Sequence, residues 1–186
     1  MMTILPVIPL SPDVHLQLLE EQDAPALFAL TDRNRQHLRE WLPWLDITRD
    51  VRDTHRFILH TLEQRKQQQG LHYGIWCRGE LAGTLGVHAI NWQHRRTEIG
   101  YWLGQDFQGM GLMTEAVAAY IDRLIFGAWQ LHRVQIYAAT GNWRSRAIPE
   151  RLGFQLEGIM RQNELLYDRW VDHAVYGLLA TEWNQR

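Results

Sequence analysis

The spacing of apolar residues changes at Gly70, and that change limits the folds open to the chain. From about Val51 to Gln68, Phe57, Ile58, Thr61 and Leu62 recur on one side at helical spacing, and Gly70 supplies the stop. Beyond it, Leu71 to Cys77 reads as a strand, Arg78-Gly79-Glu80 as a turn and Leu81 to Ile90 as the returning strand. Thr97 to Gly104 is a further strand. Ile99, Tyr101 and Leu103 share one of its faces, and Glu98, Gly100 and Trp102 share the other. A run of strands of this kind needs a sheet.

The rest of the chain fits around that sheet. Val14 to Leu19 alternates weakly and reads as a first strand. From Asp23 the pattern turns helical: Asp23 can cap, Pro25 suits the first turn, and Leu27, Phe28 and Leu30 supply an apolar face. His37 to Trp44 reads as a short helix stopped near Pro43. Further on, Arg133 to Ala139 is a strand, and Asn142 to Leu152 is a helix closed by Gly153. Phe154–Leu166 and Arg169–Ala180 are the final strands. There is no internal repeat, low-complexity tract or linker, so one mixed α/β domain over residues 1–186 is expected.

Between Phe107 and Met113 the chain reads Phe-Gln-Gly-Met-Gly-Leu-Met, and an amphipathic helix follows at once. Its expected stripe is Met113, Ala116, Val117, Tyr120, Ile121 and Leu124. Two glycines at a helix start let backbone N–H groups face a ligand, and the helix dipole behind them favours a phosphate or pyrophosphate. No Gly-Lys-Ser/Thr follows, which excludes a nucleoside-triphosphate loop, and the third glycine of the dinucleotide fingerprint is missing. What is left is a pyrophosphate cradle of another kind.

Composition removes other classes. A formal net charge of -2 offers no footprint for nucleic acid. The single cysteine, Cys77, excludes an internal disulfide and suits a reducing, cytoplasmic setting, and it reads as inert. No apolar run approaches membrane-spanning length, and the N-terminus lacks a basic-then-apolar signal. The nine histidines show no metal-ligand spacing with a carboxylate, so no metal site is expected.

Three segments together resemble the GNAT superfamily of acetyl-CoA-dependent N-acetyltransferases. The first is Gln108-Gly109-Met110-Gly111-Leu112-Met113, which matches Gln/Arg-x-x-Gly-x-Gly/Ala except at its last position, where Met113 makes the loop bulkier. The second is Thr97-Glu98-Ile99-Gly100-Tyr101-Trp102-Leu103. The third is Asn142-Trp143-Arg144-Ser145-Arg146-Ala147, leading into Leu152-Gly153-Phe154. The Glu-Ile-Gly-Tyr-Trp run and the Asn-x-x-Ser helix start are similar to the RimJ/RimL branch, which acetylates protein α-amino groups. The Trp41–Trp44 region also occurs in that branch, so the likeness spans nearly the whole chain.

The resemblance implies a GNAT-type α/β (α+β) fold, a twisted and mostly antiparallel sheet of about seven strands with helices on both faces. It implies acetyl-CoA as co-substrate, lying where two neighbouring strands splay. The pyrophosphate would sit on the N–H groups of Gln108 through Met113. A backbone N–H near Trp102 and Leu103 would polarise the acetyl carbonyl, with Asn142 as a further cofactor contact beside its capping role. Many relatives carry a tyrosine four residues before the Gly-Phe pair, where this chain has Pro149. A proline there removes the helical hydrogen bond to the carbonyl of Ser145. The resemblance then points to Ser145 as proton donor to the departing thiolate. Glu98 is the candidate base, acting through water in open space beside Gly100.

Beside these stand plainer readings: Glu98 as a solvated strand carboxylate, and Arg144 and Arg146 as solvated charges with the nucleotide phosphates as the alternative. Trp41 and Trp44 serve either as lid packing or as acceptor contacts. The expected reaction is direct acetyl transfer to a primary amine, most simply a protein N-terminus such as that of a ribosomal protein. A small amine or a non-catalytic acetyl-CoA-binding module are the alternatives. Neither nucleic acid nor membrane is an expected partner, and a homodimer is left open.

Overall fold

The computed structural model describes residues 2–185; residues 1 and 186 of the expected domain span lie outside it. Its eight strands are β1 (Val7–Ser11), β2 (Val14–Leu18), β3 (Leu71–Cys77), β4 (Glu80–Asn91), β5 (Arg96–Leu103), β6 (Arg133–Ala139), β7 (Gln155–Leu166) and β8 (Arg169–Leu179). Its helices are α1 (Ala24–Arg33), α2 (Arg35–Leu38), α3 (Val51–Lys66), α4 (Leu112–Tyr120), α5 (Trp143–Arg151) and α6 (Ala180–Trp183). All the strands join one sheet in the order β1-β2-β3-β4-β5-β6-β8-β7. Each neighbouring pair is antiparallel except β5 and β6, which run parallel.

The sheet has eight strands where about seven were expected, because β1 escaped the sequence pattern. Pro9 lies inside it, and proline normally argues against a strand. Here β1 is an edge strand with a register shift after Pro9, so the missing donor costs no ladder bond. Two other expectations change. Asp23 stands at the N-cap of α1 but makes no side-chain capping bond to it; its carboxylate accepts from the Glu20 N–H at 2.9 Å and closes a 3-10 turn, Glu21–Asp23, ahead of the helix. Pro43 does not end a helix either. It opens a 3-10 turn, Pro43–Asp46, four residues of chain after α2 has finished at Leu38 with the Arg39–Leu42 link between. That is where proline fits, since the first turn of a helix needs no N–H.

The turn carrying Trp44 is then held by arginines rather than by helix. Arg35 donates to the carbonyls of Leu45 and Thr48 at 2.7 and 2.8 Å, and Arg39 grips Asp46 with two bonds of 2.8 and 3.0 Å. Helix α3 starts at the Asp50 cap, whose carboxylate accepts from Arg52 N–H at 2.7 Å.

Two apolar layers sandwich the sheet. The larger is built on α4, whose predicted stripe is wholly buried, and takes Ile99, Tyr101 and Leu103 from β5. The smaller lies under α1 and α3 and takes Trp102. The two faces of β5 therefore separate as their alternation required. Past Tyr120, α4 widens into a π-helical stretch, Ile121–Ala128, in which Trp129 N–H donates to Leu124 O at 2.7 Å. Among the described residues no helix is long and apolar enough to cross a membrane.

Candidate active site

Strands β5 and β6 are in register only at Arg96, Thr97 and Glu98, opposite Arg133, Val134 and Gln135. Beyond Glu98 they part, and β6 continues against β8 alone. The other edge of β5 stays paired with β4, and the Gly104 N–H just past its end donates to Ala82 O at 2.8 Å. Backbone direction alternates along an antiparallel strand, so Trp102 N–H also turns toward β4, whereas those of Tyr101 and Leu103 turn into the gap. Of the two residues expected to offer an N–H there, the geometry leaves Leu103.

The gap opens toward the glycine turn. Gly109 and Gly111 have φ of +78° and +76°, values that residues with a Cβ rarely adopt. A Cβ built on either would meet nothing within 4 Å, so the space in front of the turn is open. Gly111 is the N-cap of α4, which points the first N–H groups of that helix the same way. Leu112 and Met113 are both 5% exposed and sit in the core, so the Met113 side chain does not crowd the loop. Met110 is exposed. Gln108 ties the turn to its surroundings: its amide nitrogen lies 2.7 Å from His37 Nε2, and its carbonyl oxygen accepts from Arg144 at 3.2 Å.

A cavity of about 880 Å³ lies on the α1–α3 face of the sheet and reaches through the parted strands to α5. Trp41, Trp44, Glu98, Trp102, Asn142 and Ser145 all line it. Leu103 and the Gln108–Met113 turn lie outside its wall. The Trp44 and Trp102 rings meet at 6.1 Å, and Trp41 packs over Gly141, the residue before the α5 cap. Asn142 caps α5 by accepting from Ser145 N–H at 3.1 Å.

Glu98 reaches the cavity with burial alone moving its pKa, upward, and no hydrogen bond or charge contributing. The space beside Gly100 is not empty, however. His88 fills it, with Nε2 2.9 Å from where a Gly100 Cβ would lie.

The carbonyl that Pro149 leaves without a helical donor has found another. Tyr101 Oη donates to Ser145 O at 3.0 Å, and Ser145 Oγ stands 3.5 Å from the same hydroxyl. Burial raises the Tyr101 pKa, so the phenol keeps its proton. Arg146 is not a solvated charge: it donates to Tyr176 Oη and to Thr140 O, both at 2.9 Å.

Sequence reasoning passed over Tyr101, His72, His88, Glu164 and His173, which also line the cavity. Glu164 bonds to His173 at 3.1 Å across the β7–β8 pair. Their strand faces were readable, but which strands would adjoin was not. Among the described residues, no cluster of histidine, cysteine and carboxylates is arranged to hold a metal ion.

Comparison with known proteins places this geometry. The family model described as "Acetyltransferase (GNAT) domain" matches residues 13–155. A putative ribosomal N-acetyltransferase of Bacillus subtilis (strain 168), YdaF, is 36% identical over 172 residues, covering 91% of this chain and 93% of the relative. The ribosomal-protein-serine acetyltransferase of Escherichia coli (strain K12) is 27% identical over 169 residues, 91% of this chain and 94% of the relative. Among solved structures, a RimL ribosomal L7/L12 α-N-protein acetyltransferase in complex with coenzyme A superposes with a TM-score of 0.87. It is 29% identical, and the match covers 95% of this chain and 99% of that one.

Proposed function

The chain belongs to the GNAT acetyltransferase family, and from that premise we propose that it acetylates the N-terminal α-amino group of a protein, a ribosomal protein being the leading candidate. The observation that carries the acceptor class is the charge balance of the cavity. Asp53 pairs with Arg56 and Glu164 bonds to His173, which leaves Glu98 as the carboxylate there without such a partner. One carboxylate suits one ammonium. A polyamine would call for several, whereas the neutral chain behind an α-amino group suits the Trp41 and Trp44 walls.

The roles follow from position. The open turn at Gly109 and Gly111, with the N–H groups of Gln108 through Met113, takes the pyrophosphate of acetyl-CoA. Leu103 N–H, directed into the gap, hydrogen-bonds the acetyl oxygen as negative charge develops on it. Glu98 removes a proton from the ammonium, directly or through water, so that a neutral amine attacks the thioester carbonyl. An α-amino group needs less help than a lysine, with reference pKa values of about 8 and about 10. Burial raises the pKa of Glu98, which strengthens it as a base. Glu164 is the second carboxylate at hand, and its bond to His173 makes it the weaker candidate. As the C–S bond breaks, Ser145 Oγ gives its proton to the thiolate and regains one, through water, from the surplus N–H of the new amide; its contact with Tyr101 is long enough to leave that proton available.

Competition tests the acceptor. Equal concentrations of a short peptide with a free N-terminus, its N-blocked lysine-containing twin and spermidine are offered with acetyl-CoA. The free peptide is expected to be acetylated fastest. Faster turnover of spermidine or of the blocked peptide would replace this reading with acetylation of a small or side-chain amine.

A further inference from the structure

Three strands floor the cavity, and a row of facing residues crosses them. His72 on β3 stands opposite Gly86 on β4, and Gly86 stands opposite Gly100 on β5. Both glycines yield their Cβ positions to imidazoles. A Cβ on Gly86 would lie 2.5 Å from His72 Nδ1, and one on Gly100 would lie 2.9 Å from His88 Nε2. The two rings are 4.7 Å apart between centroids, and Phe57 of α3 sets its ring edge-on to His72 at 5.9 Å. His72 is 6% exposed, and its Nε2 is buried without a hydrogen-bond partner. His88 is the member that opens on the cavity, which it lines as Glu98 does.

Buried polar atoms are normally paired, so an orphaned imidazole nitrogen beside a cavity points to a partner that arrives with a ligand. Burial, with neighbouring histidines adding to it, depresses both imidazoles, His72 to about 3 and His88 below its usual value. A depressed pKa favours the uncharged ring, which has one N–H donor and one acceptor nitrogen. Such a floor matches a small neutral group that both gives and takes a hydrogen bond. An aliphatic group would leave the nitrogens unpaired, and an anion would meet no counter-charge on either ring.

We propose that the His72–His88 pair reads the side chain of the acceptor's first residue and favours a hydroxyl or carboxamide over an aliphatic or charged group. The inference rests on the α-amino acceptor proposed above. With the amine at Glu98, the first side chain is the nearest substituent, branching from the carbon that bears the nitrogen. The group meets both rings, His88 and the unpaired Nε2 of His72, which line the same cavity.

The test uses peptides identical beyond a first residue of Ser, Asn, Ala, Val or Asp, with kcat/KM measured for each. The Ser and Asn peptides should exceed the other three by about tenfold, since a site built for hydrogen bonding penalises a substrate that lacks the group. In His88→Phe the ratio should fall toward one. In His88→Asn, which keeps a donor and an acceptor, the preference should return in part. Stabilisation by acetyl-CoA, measured in each variant, certifies a folded enzyme. Five peptides turned over alike by the wild type, or a wild-type ratio surviving in His88→Phe, would overturn the inference and leave N-terminal acetylation standing. Turnover of spermidine with no turnover of any peptide would overturn the acceptor reading and this inference together.

Discussion

The two halves of the site are made of different material. The gap and the glycine turn are backbone: Tyr101 and Leu103 present N–H groups, and Gly109 and Gly111 hold positive φ with open space before them. That half lies within residues 101–113. The cavity half is made of side chains, Trp44, Glu98, Ser145 and His173 among them, brought from a turn, β5, α5 and β8. A backbone site depends on conformation and empty volume, and ignores most side-chain changes. A side-chain site has the opposite sensitivities. The two halves should therefore fail separately, and substitutions can be chosen to break that division.

Glu98→Gln should show the largest effect, lowering kcat/KM by about 10²–10⁴ if Glu98 is the base. Stabilisation by acetyl-CoA should be untouched. Because burial raises the Glu98 pKa, the ionised form is lost as pH falls through a value above that of an ordinary glutamate. The acidic limb of the wild-type profile should lie correspondingly high, and the variant should lack it. The sign for stability is opposite: ionising a carboxyl whose folded pKa is raised disfavours the fold, so Glu98→Gln should melt slightly higher at neutral pH. The same pH profile on Glu164→Gln decides between the two carboxylates; a lost limb there would transfer the role.

Gly111→Asn is the reciprocal variant. Asparagine tolerates positive φ, so the turn should persist while its side chain enters the open space. Acetyl-CoA at a hundred times its Kd should stabilise the wild type by about 2.7 kcal/mol, and the variant far less, in thermal melts. A full shift in the variant would remove the turn from the cofactor site. Gly111→Val mixes this test with backbone strain, because a β-branched residue resists φ near +76°.

Tyr101 links the halves. Tyr101→Phe strands the Ser145 carbonyl, which Pro149 already denies a helical donor, and should cost about 1–3 kcal/mol in denaturant unfolding. Pro149→Ala restores an N–H at that place in the helix, so the loss should be smaller in the double variant than in Tyr101→Phe alone. Equal losses in the two backgrounds would show that the tyrosine hydroxyl does not substitute for the missing helical bond. Smallest of all, Trp44→Ala should cost about 0.5–1.5 kcal/mol in denaturant unfolding, from the lost ring contact with Trp102, and should raise KM for a free peptide through the lost wall. Its acetyl-CoA stabilisation should match the wild type.

Legibility followed the same division. The glycine turn, the faces of β5 and the buried stripe of α4 were readable because each depends on neighbours in the chain and a fixed period. Asn142 was readable as a cap for the same reason. Strand β1 was missed because proline is unfavourable only where a ladder bond is required, and an edge requires none. The space beside Gly100 was misjudged because its occupant, His88, comes from the neighbouring strand.

By itself, then, the sequence determined most of the order of elements, the faces they bury and the glycine turn that opens a helix at Gly109 and Gly111, since backbone dihedrals and short periods are local properties. Only the tertiary structure decided that β5 and β6 part after Glu98, that Tyr101 covers the carbonyl Pro149 leaves bare, and that Glu98 shares a cavity with the His72–His88 pair. Those facts depend on which strands become neighbours and in what register, and pairing between distant segments is settled by the packing of the whole sheet rather than by any one stretch of chain.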